Sequence, residues 1–329
     1  MLLVILIVTF SIIRVLPGDP ARLQMGPLAP EAGVQKLREE MKLDRPLPEQ
    51  FIEYVKHVLK GDFGRSWVTQ NTVKQDLKRK LPVTLELVLL GVFTMVIVFI
   101  PLGCITASKK GGLVTRTLKK IASIYGLLAG SFPDFWLGLM LIFVFFTKLK
   151  WLPGPEGILG ILTTPPSHIT GMYLFDSIVT RNFTTLKEAL LHYILPVFTL
   201  SFVYGAIIYK YTWSGMSKAL RDDYTLYAEA LGLPKWKVFF YAFRNALPPV
   251  VIMTANQISY LLGGAVLIES VFNIDGIGQY AVQSIVSSDY PPIQAFVLIA
   301  ATFTMLSYLL GDIINFLADP RIRIRGRNE

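Results

Sequence analysis

Residues 87–107 read LVLLGVFTMVIVFIPLGCITA, 21 residues without one charge. A helix needs about 20 predominantly apolar residues to cross a bilayer, so this run alone is long enough to span. Residues 135–147, FWLGLMLIFVFFT, are equally apolar. The whole chain of 329 residues is 53 % hydrophobic and only 17 % charged, whereas soluble domains carry about 25 % charged residues. The composition therefore specifies a polytopic helical membrane protein.

Working outward from that run, hydropathy gives six spans, near 1–16, 82–107, 121–148, 190–212, 247–270 and 293–316. The first is short, because Arg14 interrupts it. Either the chain starts inside a longer helix or this segment tilts and thins the membrane. It lacks the basic leader and small-residue cleavage site of a signal peptide. Pro101, Pro133 and Pro196 lie within spans and predict kinks.

The net charge of +9 reports topology rather than a nucleic-acid partner. Lys109, Lys110, Arg116, Lys119 and Lys120 lie in one short loop, and Lys210, Lys218, Arg221, Lys235, Lys237 and Arg244 in another. Arg321, Arg323, Arg325 and Arg327 mark the tail, while the alternate loop 271–292 has no lysine or arginine. The positive-inside rule places the basic segments and both termini in the cytoplasm. Residues 17–80 then form an external helical loop, with Phe51, Tyr54, Val55, Val58 and Leu59 at helical spacing before Gly61. Residues 149–189, rich in Pro, Gly and Thr, form a second external loop. Cys104, the lone cysteine, is an inert core thiol, and His57, His168 and His192 are too scattered to hold a metal.

The longest charged interruption in the second half is DDYTLYAEALGLPKWKVFFYAFRNALPP at 222–249. Asp222 or Asp223 can cap a helix, Gly232 suits its left-handed end, and Pro234 suits the first turn of the next. Tyr224, Tyr227, Ala228 and Leu231 share one face of the first helix. Trp236, Phe239, Phe240, Phe243 and Leu247 form a stripe on the second. The pattern predicts two short helices, each turning an apolar face to the membrane domain and a polar face to the cytosol.

This stretch resembles the cytoplasmic coupling segment of ABC-type importer permeases, in the form of the peptide/oligopeptide permease family. The likeness continues through RVLPGDP at 14–20, MKLDRPLPEQF at 41–51, GDFGRS at 61–66, LPVTLEL at 81–87, SFPDFWLG at 131–138, LPVFTLS at 195–201, GGAVLIESVFNIDGIG at 263–278, SSDYP at 287–291 and DPRIR at 319–323. It departs where the family's Glu-Ala-Ala falls on Leu226, Tyr227 and Ala228, and also at Asp134 and Asp275.

The resemblance implies an all-α permease fold of the type I importer class, in the cytoplasmic membrane of a bacterium or archaeon. Segment 222–245 would engage an ATPase through Ala228, Glu229, Gly232, Leu233, Lys237, Arg244 and Asn245. Asp134, Asn256, Gln257, Ser259 and Glu269 become candidates for lining a path shared with a homologous permease. The chain has no G-x-x-x-x-G-K-[ST] phosphate loop, so it would be non-catalytic. ATP and magnesium would sit in two partner ATPase subunits, with no cofactor or metal on this chain. An extracytoplasmic binding protein would deliver cargo, peptides by resemblance, with oligosaccharides or nickel chelates as alternatives. A secondary transporter is the remoter reading, because the halves show no inverted repeat.

Overall fold

The computed structural model describes residues 2–15, 20–26, 28–40, 43–108, 113–160 and 162–318. The linker 109–112 and the tail 319–329, with their basic residues, lie outside them. The helices are α1 Leu2–Val15, α2 Pro20–Met25, α3 Glu31–Glu40, α4 Leu47–Leu59, α5 Val73–Ala107, α6 Leu113–Leu128, α7 Asp134–Leu141, α8 Tyr173–Val179, α9 Phe183–Ala219, α10 Asp223–Ala230, α11 Lys235–Phe272, α12 Ile277–Val286 and α13 Tyr290–Ala318. No β-strand occurs among the described residues.

Four helices, α5, α9, α11 and α13, are long and apolar enough to cross a membrane, and a bent pair could make a fifth span. The remaining expected span is α1, whose 14 residues rise only about 21 Å, short of a ~30 Å hydrocarbon core. It lies against α13, where Gln294 Nε2 donates to the Thr9 carbonyl at 2.9 Å. Phe10 meets the rings of Phe51 and Tyr54 on α4. Within 17–80 the described residues form α2, α3, α4 and the first turns of α5.

The expected span 121–148 is not one straight helix. Residues Thr115–Ser131 and Asp134–Lys148 meet at 113°, and residues Ile142–Lys148 continue α7 as a π-helix. Pro133 lacks an N–H, and Phe132 ahead of it is extended (ψ 130°), the geometry a following proline favours. The kink was legible in the sequence; its size was not.

The spans exceed the hydropathic runs because polar residues carry the helices onward at both ends. α5 starts nine residues before the expected 82, where Thr72 and Gln75 form a reciprocal capping box. α9 and α11 reach 37 and 38 residues, or about 56 Å at 1.5 Å per residue. α5, α9 and α11 make the central packing unit around Leu87, Met95, Leu200, Ile208, Leu261 and Ile268. Close approach there depends on small residues. At Gly205 an added Cβ would lie 2.3 Å from the Phe99 ring.

Polar elements gather at two opposite ends of this bundle. One end carries residues 62–72, α8 and α12. The other carries α10 and a second apolar cluster of Cys104, Ala107, Met216, Ala219, Ala242 and Ala246.

Candidate functional site

At the α10 end, Asp222 occupies the cap position of α10 in extended backbone (φ −70°, ψ 149°) without a side-chain cap bond. The helix ends in a Schellman turn. Gly232 has φ +77°, its N–H reaches the Glu229 carbonyl at 3.0 Å, and the Leu233 N–H reaches that of Ala228 at 3.2 Å. A Cβ at Gly232 would meet nothing within 4 Å, so only the left-handed backbone demands glycine. Pro234 then starts α11. The expected second short helix is therefore the first part of a 38-residue helix that continues into the core, through Pro248 and Pro249.

The expected orientation of the hairpin holds only in part: Ala228 is buried and Phe243 packs on the inner apolar cluster, but most of the aromatic stripe does not face inward. Its buried contacts are made by small residues: Thr225, Ala228, Val238, Ala242 and Ala246. Thr225 Oγ1 donates to the Ala219 carbonyl. The aromatic side points out, with Tyr227 67 %, Leu231 62 %, Trp236 67 % and Phe240 56 % exposed. Ala242 and Ala246 let α11 lie close against α5 and α9, and of the aromatic stripe only Phe243 packs beside them. Glu229, Gly232, Lys237, Arg244 and Asn245 are exposed around this apolar surface, Leu233 is half-buried, and Ala228 lies beneath it. Lys237 Nζ sits over the Trp236 ring at 5.6 Å, and Asn245 Nδ2 donates to the Tyr241 carbonyl.

The five path candidates do not converge. Asp134 is buried at the first position of α7, where its carboxylate accepts the Phe135 N–H at 2.7 Å and the Tyr204 hydroxyl at 3.0 Å. Asn256 and Ser259 are three residues apart and share a face of α11, whereas Gln257 points about 100° away and is buried. Gln257 Oε1 and Ser259 Oγ have no hydrogen-bond partner among the described residues. Glu269 is fully enclosed within the subunit. Its carboxylate accepts the Thr84 hydroxyl and the Gln279 N–H, and Thr84 Oγ1 in turn accepts the Ile277 N–H at 2.9 Å. Glu269 thus caps the N-terminus of α12, where four backbone N–H groups lack helical partners. Gly276 leaves room for it: a Cβ there would lie 2.3 Å from Glu269 Oε1.

Sequence reasoning missed the equivalent group, Glu86. Its buried carboxylate accepts the N–H groups of Tyr173, Leu174 and Phe175 at the start of α8, and the Tyr193 hydroxyl at 2.9 Å. A charge just ahead of the uncharged run 87–107 was the available signal, since such a group needs partners. Other carboxylates tie the same end together. Asp289 accepts from Ser66 Oγ and the Trp67 N–H, and Asp76 from Thr69, Asn71 and Tyr280. Lys80, almost wholly buried, pairs with Asp275, as does Arg79 at 3.2 Å. Asp176 collects the N–H groups of Ile169, Thr170 and Gly171. Burial opposes its charge, but these bonds outweigh burial and hold its pKa below the ordinary value.

The sequence of the chain is similar to that of known transport proteins. A family model described as binding-protein-dependent transport system inner membrane component matches residues 99–324, and its N-terminal companion matches 1–88. A probable D,D-dipeptide transport system permease protein of Escherichia coli is 38 % identical over 317 residues, covering 96 % of this chain and 92 % of the relative. A di/tripeptide transport system permease protein of Pseudomonas aeruginosa is 36 % identical, covering 96 % and 93 %. A glutathione transport system permease protein of Pectobacterium atrosepticum is 33 % identical, covering 98 % and 95 %.

Proposed function

The chain belongs to the family of binding-protein-dependent transport system inner membrane components, and from that premise we propose that it is a permease subunit of an ATP-driven importer of peptides. It is a multi-pass inner-membrane protein and non-catalytic. The peptide cargo is taken from what the relatives are named for. One observation carries the mechanism: an exposed aromatic surface, backed by a small-residue interface, sits on a helix that runs unbroken into the core. Contiguous exposed apolar surface marks an interaction site.

In this reading α10, the Gly232 turn and the start of α11 dock on one of two ATPase subunits, which hold ATP and magnesium. Closure of those subunits pushes α11 along its axis, and a homologous permease completes the path. The basic residues put the α10 end in the cytoplasm. The α8 and α12 end then faces the delivering binding protein. Of the path candidates, Asn256 is not wholly covered by this subunit, which supports a role against the second permease, whereas the Ser259 hydroxyl is buried. Asp134, Gln257 and Glu269 act within the subunit.

Gly232→Trp tests the coupling. A side chain in the left-handed region strains the turn by roughly 1–2 kcal/mol, enough to displace the hairpin. The expected result is normal membrane insertion with loss of peptide-stimulated ATP hydrolysis in the assembled complex. Unchanged stimulation would overturn the docking role.

A further inference from the structure

At the α10 end, α6 stands off from the end of α5 and the last third of α9, leaving a cavity of about 510 Å³. Three cations line it: Lys119 of α6, Lys210 of α9 and Arg221 just after α9. Ser123, Ser217 and Trp213 complete the wall, and no carboxylate among the described residues lines it. Lys119 Nζ donates to the Ser108 carbonyl, a neutral acceptor that leaves its charge uncompensated. Lys210 and Arg221 have no acidic partner among the described residues. The stem of Lys210 crosses toward α6, lying 3.7 Å from where a Cβ on Gly126 would stand. Like charges converging on one hollow repel unless an anion lies between them.

We propose that this cavity binds a phosphate-bearing anion, with the headgroup of an anionic glycerophospholipid as the source its position favours. Basic hollows between spanning helices at the cytoplasmic face suit such headgroups. Trp213, 45 % exposed, places an aromatic ring at the level where tryptophans sit in membranes. Below the cations α6 presents Ile121, Ile124 and Leu127, all exposed, as a ridge for the acyl chains. The volume exceeds that of a bare phosphate and leaves space for glycerol. The bound anion bridges α6 to α9 beside the root of α10, so it fixes the element from which the hairpin hangs. The lipid-binding claim does not require the ATPase-docking reading.

The test is native mass spectrometry of the full chain, in whatever assembly it purifies with, released from bilayers of phosphatidylcholine with phosphatidylglycerol. The wild type should retain one phosphatidylglycerol more than the K119Q/K210Q/R221Q variant. Circular dichroism of both proteins checks that the variant is folded. A single replacement, Lys210→Gln, should lower occupancy at least threefold and serves if the triple variant fails to insert. A parallel titration of lipid-free protein in detergent with labelled inorganic phosphate separates the sources. Saturable phosphate binding lost in the same variants, without lipid retention, keeps the anion site and assigns it to a soluble ligand. Equal retention and equal phosphate binding by wild type and variants would overturn the proposal. So would a partner subunit's carboxylate found seated on Lys210 and Arg221 in the assembled complex.

Discussion

Glu269 illustrates how a charge is kept inside a membrane bundle. A carboxylate at a helix centre costs at least about 2.5 kcal/mol in lipid, and this one is fully enclosed. It persists because the N-terminus of α12 supplies N–H donors and a positive dipole end, with Thr84 bridging to a further N–H. Glu269→Ala removes the acceptor and leaves Gln279 N–H and Thr84 Oγ1 buried without it. At about 1–3 kcal/mol for each of these two unsatisfied groups, the purified protein should lose about 2–6 kcal/mol, read as a lowered thermal midpoint in detergent. Gly276→Ala should fall in the same range, because its methyl collides with the same carboxylate. A midpoint within 1 °C of wild type for both variants would refute the capping role. Asp176 makes a related prediction for the loop before α8. Its folded pKa is depressed, so its contribution is fully present above the unfolded value of about 3.9 and is lost as pH falls through the folded value. Amides of Ile169, Thr170 and Gly171 should resist hydrogen exchange at neutral pH and lose protection only below about pH 4. Asp176→Asn should expose them at pH 7.

At the scale of elements, the hairpin of α10 and the start of α11 carries the main prediction. Trp236 and Phe240 lie on the outer surface and away from the small-residue interface. Replacing both with alanine should change the chain's own stability by less than about 1 kcal/mol, as for exposed positions free of other roles. Two aromatic anchors of a docking surface are worth about 2 kcal/mol or more each, so association with the ATPase subunit should weaken at least a hundredfold in a pull-down titration. Strong destabilisation of the isolated chain would instead assign these rings to the fold. The helix types and the Gly232 turn were legible, since a capping aspartate, a glycine and a proline each carry a local physical signal. The facing was not. The usual rule turns the most apolar stripe inward, but here Ala242 and Ala246 make the close helix packing while Trp236, Phe239 and Phe240 are displaced outward. Glu86 and Glu269 were equally hard to read, because Tyr173 lies 87 residues from Glu86 and Thr84 lies 185 residues from Glu269, pairings that no local pattern records. The 113° bend at Pro133 belongs to the same class: proline marks the break, while the angle depends on what α7 packs against.

At the scale of the whole molecule, the distribution of charge and of caps describes a bundle with two different ends. One end is tied by carboxylates: Glu86 and Glu269 fasten α8 and α12 to the spans, and Asp289 fastens the loop at Ser66 and Trp67. This makes a rigid platform, suited to receiving a binding protein without deforming. The other end holds the cavity with its three cations and a hairpin attached through small residues, suited to moving as a lever. The asymmetry predicts an orientation that can be read directly. Cys104 is buried, so the native thiol gives a low labelling background. Val286, 83 % exposed on α12, and Glu229, exposed on α10, offer reporters at opposite ends. A membrane-impermeant maleimide should label Val286→Cys and spare Glu229→Cys in right-side-out vesicles. The pattern should invert in inside-out vesicles, with both positions reacting once detergent is added. Labelling of Glu229→Cys from the outer side would reverse the assignment of the two ends. It would also remove the hairpin from any cytoplasmic ATPase.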